Sequence, residues 1–129
     1  MINWLSIALA GGGAAIGASG RYLVMQFSEL LTRWREKHSG YQPSRFPWPT
    51  FIINVSGSFL LGLVMASNLS TLLKVTFGAG ILGGFTTFST MANEIVLLAR
   101  DQRLKMALLY GVLTIVFGVI AASVGMQAG

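Results

Sequence analysis

Four windows without a single charged residue, Met1–Gly20, Phe46–Leu73, Val75–Asn93 and Met106–Gly129, take up most of the chain. Each is near or above the roughly 18 to 20 residues that cross a hydrocarbon core. Backbone N–H and C=O groups in lipid must be satisfied within their own segment, so such windows read as helices. Charged residues make up only 10% of the sequence, where a soluble domain carries about 25%. Mean hydropathy is +0.68. The expected fold is an all-α membrane protein, a single domain of four transmembrane helices at about residues 3–30, 49–69, 72–100 and 103–127.

Several function classes fall away on residue types alone. The first window has no basic n-region and no convincing cleavage site, so it reads as a span and not as a removed signal. Cysteine is absent, which excludes disulfides, thiolate metal sites and cysteine nucleophiles. His38 sits in a polar loop. No span offers a carboxylate pair, a histidine cluster or a nucleophile beside a base, so an enzyme has nothing to work with. The glycines lack the lysine of a phosphate-binding loop. The net charge of +5 does not point to nucleic acid, because the basic residues flank spans, where they report topology. Arg33, Arg35, Lys37 and Arg45 lie near the first loop and Arg100, Arg103 and Lys105 near the third. Lys74 stands alone on the opposite side. By the positive-inside rule the termini face outward and the basic loops the cytoplasm, with a bias of seven to one.

The polar residues left inside the spans are few and placed. Span one holds AGGGAAIGASG (Ala10–Gly20), in which Gly13 and Gly17 at i and i+4 suit close helix approach. Arg21 follows and needs a partner, a water-filled route or a snorkelling position. The helix has material to continue through YLVMQFSELLTRW, with Glu29 and Arg33 at i, i+4, until Pro43, Pro47 and Pro49 break it. Trp34, Tyr41, Phe46 and Trp48 look like interfacial anchors. In span two, Thr50, Asn54 and Ser58 share one face, and Asn54 must find hydrogen-bond partners. An interhelical clamp and a pore-lining donor are both open for it.

Span three contains GGFTTFSTM (Gly83–Met91). Paired glycines and clustered β-branched threonines are poor helix material, so a break is expected near residues 83–87, with the helix restarting near Thr87. A broken helix in lipid needs protein, water or an ion to satisfy it. Beyond the break, Phe88, Met91 and Ile95 share one face and Thr90 and Glu94 another. Tyr110, Thr114 and Gly118 recur at i, i+4, i+8 in span four. Hydroxyls, an amide, an arginine and oriented helix dipoles are the means of dehydrating a small ion, and four helices are few to surround a pathway, which favours a dimer. An ion channel competes here with a four-span drug/proton antiporter and with a non-transporting assembly protein.

Over essentially its full length the chain resembles the Fluc (CrcB) family of fluoride channels. The resemblance rests on GxxxR (Gly17–Arg21), TFIINVSGSFLLG around Asn54, and GxLGGFTTFST from Gly80 to Thr90. It implies an antiparallel dimer in the cell inner (plasma) membrane, with two fluoride pores built from both subunits, exporting fluoride passively. The partner is a second copy or an oppositely oriented paralogue, the loop charge bias bearing on which. The resemblance implies a structural Na⁺ at the dimer centre, held by the main-chain carbonyls of Gly83 and Thr86. It implies a pore lined by Asn54, Phe88, Met91, Ser89, Thr90, Tyr110 and Thr114, and gives Arg21 and Glu94 a possible electrostatic role. Met91 occupies the second position of the family's phenylalanine pair, so one phenyl edge is replaced there by a thioether.

Overall fold

Pro47 and Pro49 bracket the start of a helix, and that is where the second long helix begins. The computed structural model describes residues 3–40 and 46–129. Tyr41, Pro43 and Arg45, read above as an anchor, a helix breaker and a loop charge, lie outside the described residues. The chain forms α1 (Trp4–Ser39), α2 (Trp48–Ala66) and α3 (Thr71–Lys74). A π-helical stretch, π1 (Val75–Leu82), follows, then α4 (Gly83–Phe85), α5 (Phe88–Arg100) and α6 (Leu104–Ala128).

Among the described residues, three stretches are long and apolar enough to cross a membrane: Trp48–Ala66, Thr71–Arg100 and Leu104–Ala128. α1 is long enough, but glycines and serines dilute its apolar character. It runs past the expected residue 30 and closes at Gly40, whose φ of 67° is the left-handed conformation glycine adopts without a Cβ penalty. Glu29 and Arg33 pair across one turn as their spacing predicts.

Two glycine seams hold the helices together. Gly13 and Gly17 are buried on α1. A Cβ added at Gly17 would stand 1.8 Å from Ile81 O, and one at Gly13 would stand 2.8 Å from Thr76 O. From the other side, a Cβ on Gly84 would meet Ala14 O at 2.2 Å. The backbones of α1 and of the π1–α4 rod therefore touch directly, as small residues at helical spacing allow. The second seam joins α2 to α6, where Cβ atoms at Gly62 and Gly125 would lie 2.2 Å from Ala122 O and 2.1 Å from Phe59 O.

The break in the third span is narrower than expected. Gly83 and Gly84 remain helical, and only Thr86 (ψ 159°) and Thr87 (φ −149°, ψ 117°) are extended. Gly84 is required by the seam. The widening of the preceding helix is new: Gly83 N–H reaches Gly78 O, five residues back, the geometry of a π-helix. The small apolar core gathers Met91, Leu98, Ala107 and the fully buried Tyr110. Phe46, expected at the membrane interface, instead packs edge-on against Tyr110, with ring centroids 5.3 Å apart. Trp34 and Trp48 are exposed as an anchoring role requires.

Candidate functional site

The two extended residues of the break are held by α2. Asn54 Nδ2 donates to Thr87 O at 3.0 Å, and Thr87 N–H donates to Asn54 Oδ1 at 2.8 Å. These directions fix the amide orientation, because the flipped amide would oppose donor to donor and acceptor to acceptor. One turn further along α2, Gly57 receives the methyl of Thr86: a Cβ there would stand 2.2 Å from Thr86 Cγ2. Thr86 turns both its N–H and its hydroxyl back to Leu82 O, at 3.0 and 2.9 Å. Thr87 then caps α5 by accepting from Thr90 N–H at 3.2 Å, and its hydroxyl lies 3.1 Å from Thr90 Oγ1 and 3.5 Å from Ser89 Oγ.

This arrangement leaves two carbonyls without their helical donors. In an uninterrupted α-helix Thr87 N–H would close on Gly83 O, and Thr90 N–H on Thr86 O. Here Asn54 takes the first donor and Thr87 Oγ1 the second. Gly83 is exposed. Both residues line a groove of about 820 Å³, together with Asn54, Phe88, Met91 and Thr114. No group of three or more acidic or histidine side chains clusters among the described residues, and the groups freed at Gly83 and Thr86 are main-chain oxygens. Such oxygens suit a hard, weakly polarising ion.

Asn54 is thus a clamp between helices and still has its second amide proton for a ligand. Phe88 is 77% exposed, whereas Met91, one turn on, is only 8% exposed and belongs to the core. Their spacing places both along the groove, but Met91 leans toward α6. Thr114 Oγ1 donates to Tyr110 O at 2.7 Å, and Ser58 Oγ to Asn54 O at 2.8 Å. Ser89 is exposed beside the capped turn.

A second polar group lies away from the groove lining. Tyr110 OH donates to Glu94 Oε1 at 3.1 Å, which gives a carboxylate inside a span the partner it needs. Thr50 lies fully buried beside this pair. Arg21 makes no ion pair among the described residues. Thr50 and Thr87 were not singled out by the sequence as site residues. The signal for Thr87 was its place as the last residue before the restart, where a threonine caps a helix.

Comparison with known proteins bears on the same residues. The family described as "CrcB-like protein, Camphor Resistance (CrcB)" matches residues 8–126. Fluoride-specific ion channel FluC 1 of Ligilactobacillus salivarius is 40% identical over 117 residues, covering 91% of this chain and 93% of its own. The protein of the same name from Lactiplantibacillus plantarum is 40% identical over 119 residues, covering 92% and 94%. That from Listeria monocytogenes is 37% identical over 129 residues, covering 100% and 98%.

Proposed function

Because this multi-pass membrane chain belongs to the CrcB family, we propose that it is a fluoride-selective channel that lets F⁻ leave the cytoplasm passively. The observation that carries the reading is the full-length match to relatives named as fluoride-specific channels, with the match spanning the broken helix and its clamp. A channel for fluoride requires no catalytic group.

In this reading four helices of the chain span the bilayer, α1 included, and two subunits assemble antiparallel. The exposed ring of Phe88 is then available to a partner, and its positive edge can face an anion that is shedding water. Asn54 contributes its remaining amide proton, and Ser89 and Thr90 supply hydroxyl donors beyond it; Tyr110 and Thr114 join the track only by turning their hydroxyl protons away from Glu94 and from Tyr110 O. Compact, strongly hydrated fluoride calls for closely spaced donors, and a narrow route excludes larger halides. Glu94 and Arg21 shape the local potential, with Tyr110 holding the carboxylate.

The fit of a structural Na⁺ rests on the Gly83 and Thr86 carbonyls, two from each subunit. When bound, Na⁺ supplies a fixed positive charge that satisfies these oxygens and ties the subunits together. The charge bias of seven to one supports an oppositely oriented paralogue as the partner over an inverted second copy. Because the chain has no cysteine, single engineered cysteines can map orientation: labelling from both sides points to a homodimer, labelling from one side to a paralogue.

The deciding experiment reconstitutes the assembled channel in liposomes and follows efflux with a fluoride electrode. Fluoride is expected to escape while chloride is retained. Equal leak of both ions, or no leak of either, overturns the reading. Retained fluoride with drug–proton exchange would favour the antiporter.

A further inference from the structure

We propose that Asn54 is a positioning residue for the cation site: by holding both backbone polar groups of Thr87, it keeps the Gly83 and Thr86 carbonyls open. The inference rests on the reading of those carbonyls as Na⁺ ligands and extends it to a residue that touches no cation. Helical hydrogen bonds re-form wherever a donor and its acceptor four residues back are free. Thr87 N–H is the donor that would return to Gly83 O, and Asn54 Oδ1 holds it 2.8 Å away from that fate. Asn54 Nδ2 simultaneously satisfies Thr87 O, so the extended conformation leaves neither group of Thr87 orphaned. Gly57 adds a steric hold by accepting the Thr86 methyl. One side of α2 therefore grips both extended residues.

The second carbonyl is kept open by the same hold. With Thr87 pinned in the extended conformation, its hydroxyl sits where it captures Thr90 N–H at 3.2 Å, the donor that would otherwise close on Thr86 O. The clamp thus releases one carbonyl directly and the other through Thr87. It also orients the Thr90 hydroxyl, 3.1 Å from Thr87 Oγ1, and leaves one Asn54 amide proton for the groove. Cation site and anion path share one side chain. Any ligand that favours the open carbonyls favours the clamped state, and the reverse holds by linkage.

The test follows thermal unfolding of the purified assembled channel, this chain with whichever partner the cysteine labelling identifies, in detergent across a Na⁺ series, with N-methylglucamine balancing ionic strength. A cation bound only by the folded state raises the midpoint with its concentration, and the wild-type chain is expected to respond in this way. Asn54→Leu is expected to need roughly 10- to 100-fold more Na⁺ for the same shift, the effect typical of removing a group that supports metal ligands. Because that variant strands Thr87 N–H, Thr87→Val and Thr87→Ser form a second arm that decides alone should Asn54→Leu not fold. Valine removes the cap acceptor, so that closing the break onto Thr86 O becomes the way to satisfy Thr90 N–H, and is expected to weaken the Na⁺ response, whereas serine keeps the acceptor and retains it. No wild-type response overturns the cation reading and this inference together. A wild-type response that Asn54→Leu, or Thr87→Val, carries unchanged overturns the inference and leaves the cation reading standing.

Discussion

Where α1 meets π1 the backbones touch because Gly13, Gly17 and Gly84 carry no side chains, and where α2 meets the break they are bridged by one side chain, that of Asn54. Both contacts answer lipid, a solvent that gives helices no hydrophobic reason to associate. The seam gains dispersion and close fit, and every backbone group in it stays inside its own helix. The clamp gains two directed hydrogen bonds and leaves two carbonyls of the broken segment without their usual donors. A seam has no spare valence to offer a ligand. The clamp creates it. That difference separates the scaffold of this chain from the part that can meet an ion.

The largest effect is expected at the seam. Gly17→Ala places a Cβ 1.8 Å from Ile81 O and 2.8 Å from Phe85 N, both backbone atoms that cannot swing aside. The helices must separate, at a cost above about 3 kcal/mol, the upper end of the usual range for overpacking. Yield of folded protein and its unfolding midpoint in detergent check this. Gly20→Ala is the control, because its Cβ would meet only Phe85 Cδ1 at 3.7 Å, and it should leave both unchanged. Equal behaviour of the two would mean that the seam is looser than described.

The next largest effect separates folding from function. Asn54→Leu strands Thr87 N–H, at about 1–3 kcal/mol for a buried unsatisfied group, and fluoride efflux should fall to the level of empty liposomes. Phe88→Ile should abolish efflux equally while the unfolding midpoint stays put, since the ring is 77% exposed and supports little of the chain's own packing. A Phe88→Ile protein that conducts fluoride normally would remove that ring from the pathway.

These residues also show how much a linear reading can reach. The seam on α1 was legible because Gly13 and Gly17 repeat at helical spacing. The seam between α2 and α6 was not, because Gly62 and Gly125 are single glycines in separate apolar helices and mark no period. The break was legible as a region, from its glycines and threonines, but its limits were not. Gly83 and Gly84 stay helical, Gly84 because Ala14 O lies where its side chain would be, a fact that belongs to another helix. The demand of Asn54 for partners was legible, and both the clamp and the donor role were open. Thr87, 33 residues away, could be assigned only once the helices were in register. Phe88 and Met91 illustrate the same limit, since equal helical phase did not foretell one exposed ring and one buried thioether.

That pair gives a smaller effect. Met91 packs with Leu98, Ala107 and Tyr110, so Met91→Phe puts a ring at a position already filled. The stiffer ring should lower stability by about 1–2 kcal/mol, read as a lower unfolding midpoint, while fluoride-over-chloride selectivity persists in the efflux assay. Loss of selectivity would move Met91 from the core to the pore lining.

The smallest effect is expected at Gly12, and it sharpens the comparison most finely. Three consecutive glycines, Gly11 to Gly13, look alike in sequence, yet only Gly13 has backbone atoms of another helix within reach; nothing lies within 4 Å of a Cβ at Gly11 or Gly12. In a helix interior alanine is favoured over glycine by about 0.8–1.0 kcal/mol, a preference that lipid, where the helix has few alternatives, reduces. Gly12→Ala should therefore leave the midpoint unchanged or raise it by no more than about 1 kcal/mol equivalent, with efflux unaffected. A clear loss of stability would reveal a surface packed against Gly12 in the assembled channel, a third seam placed between subunits.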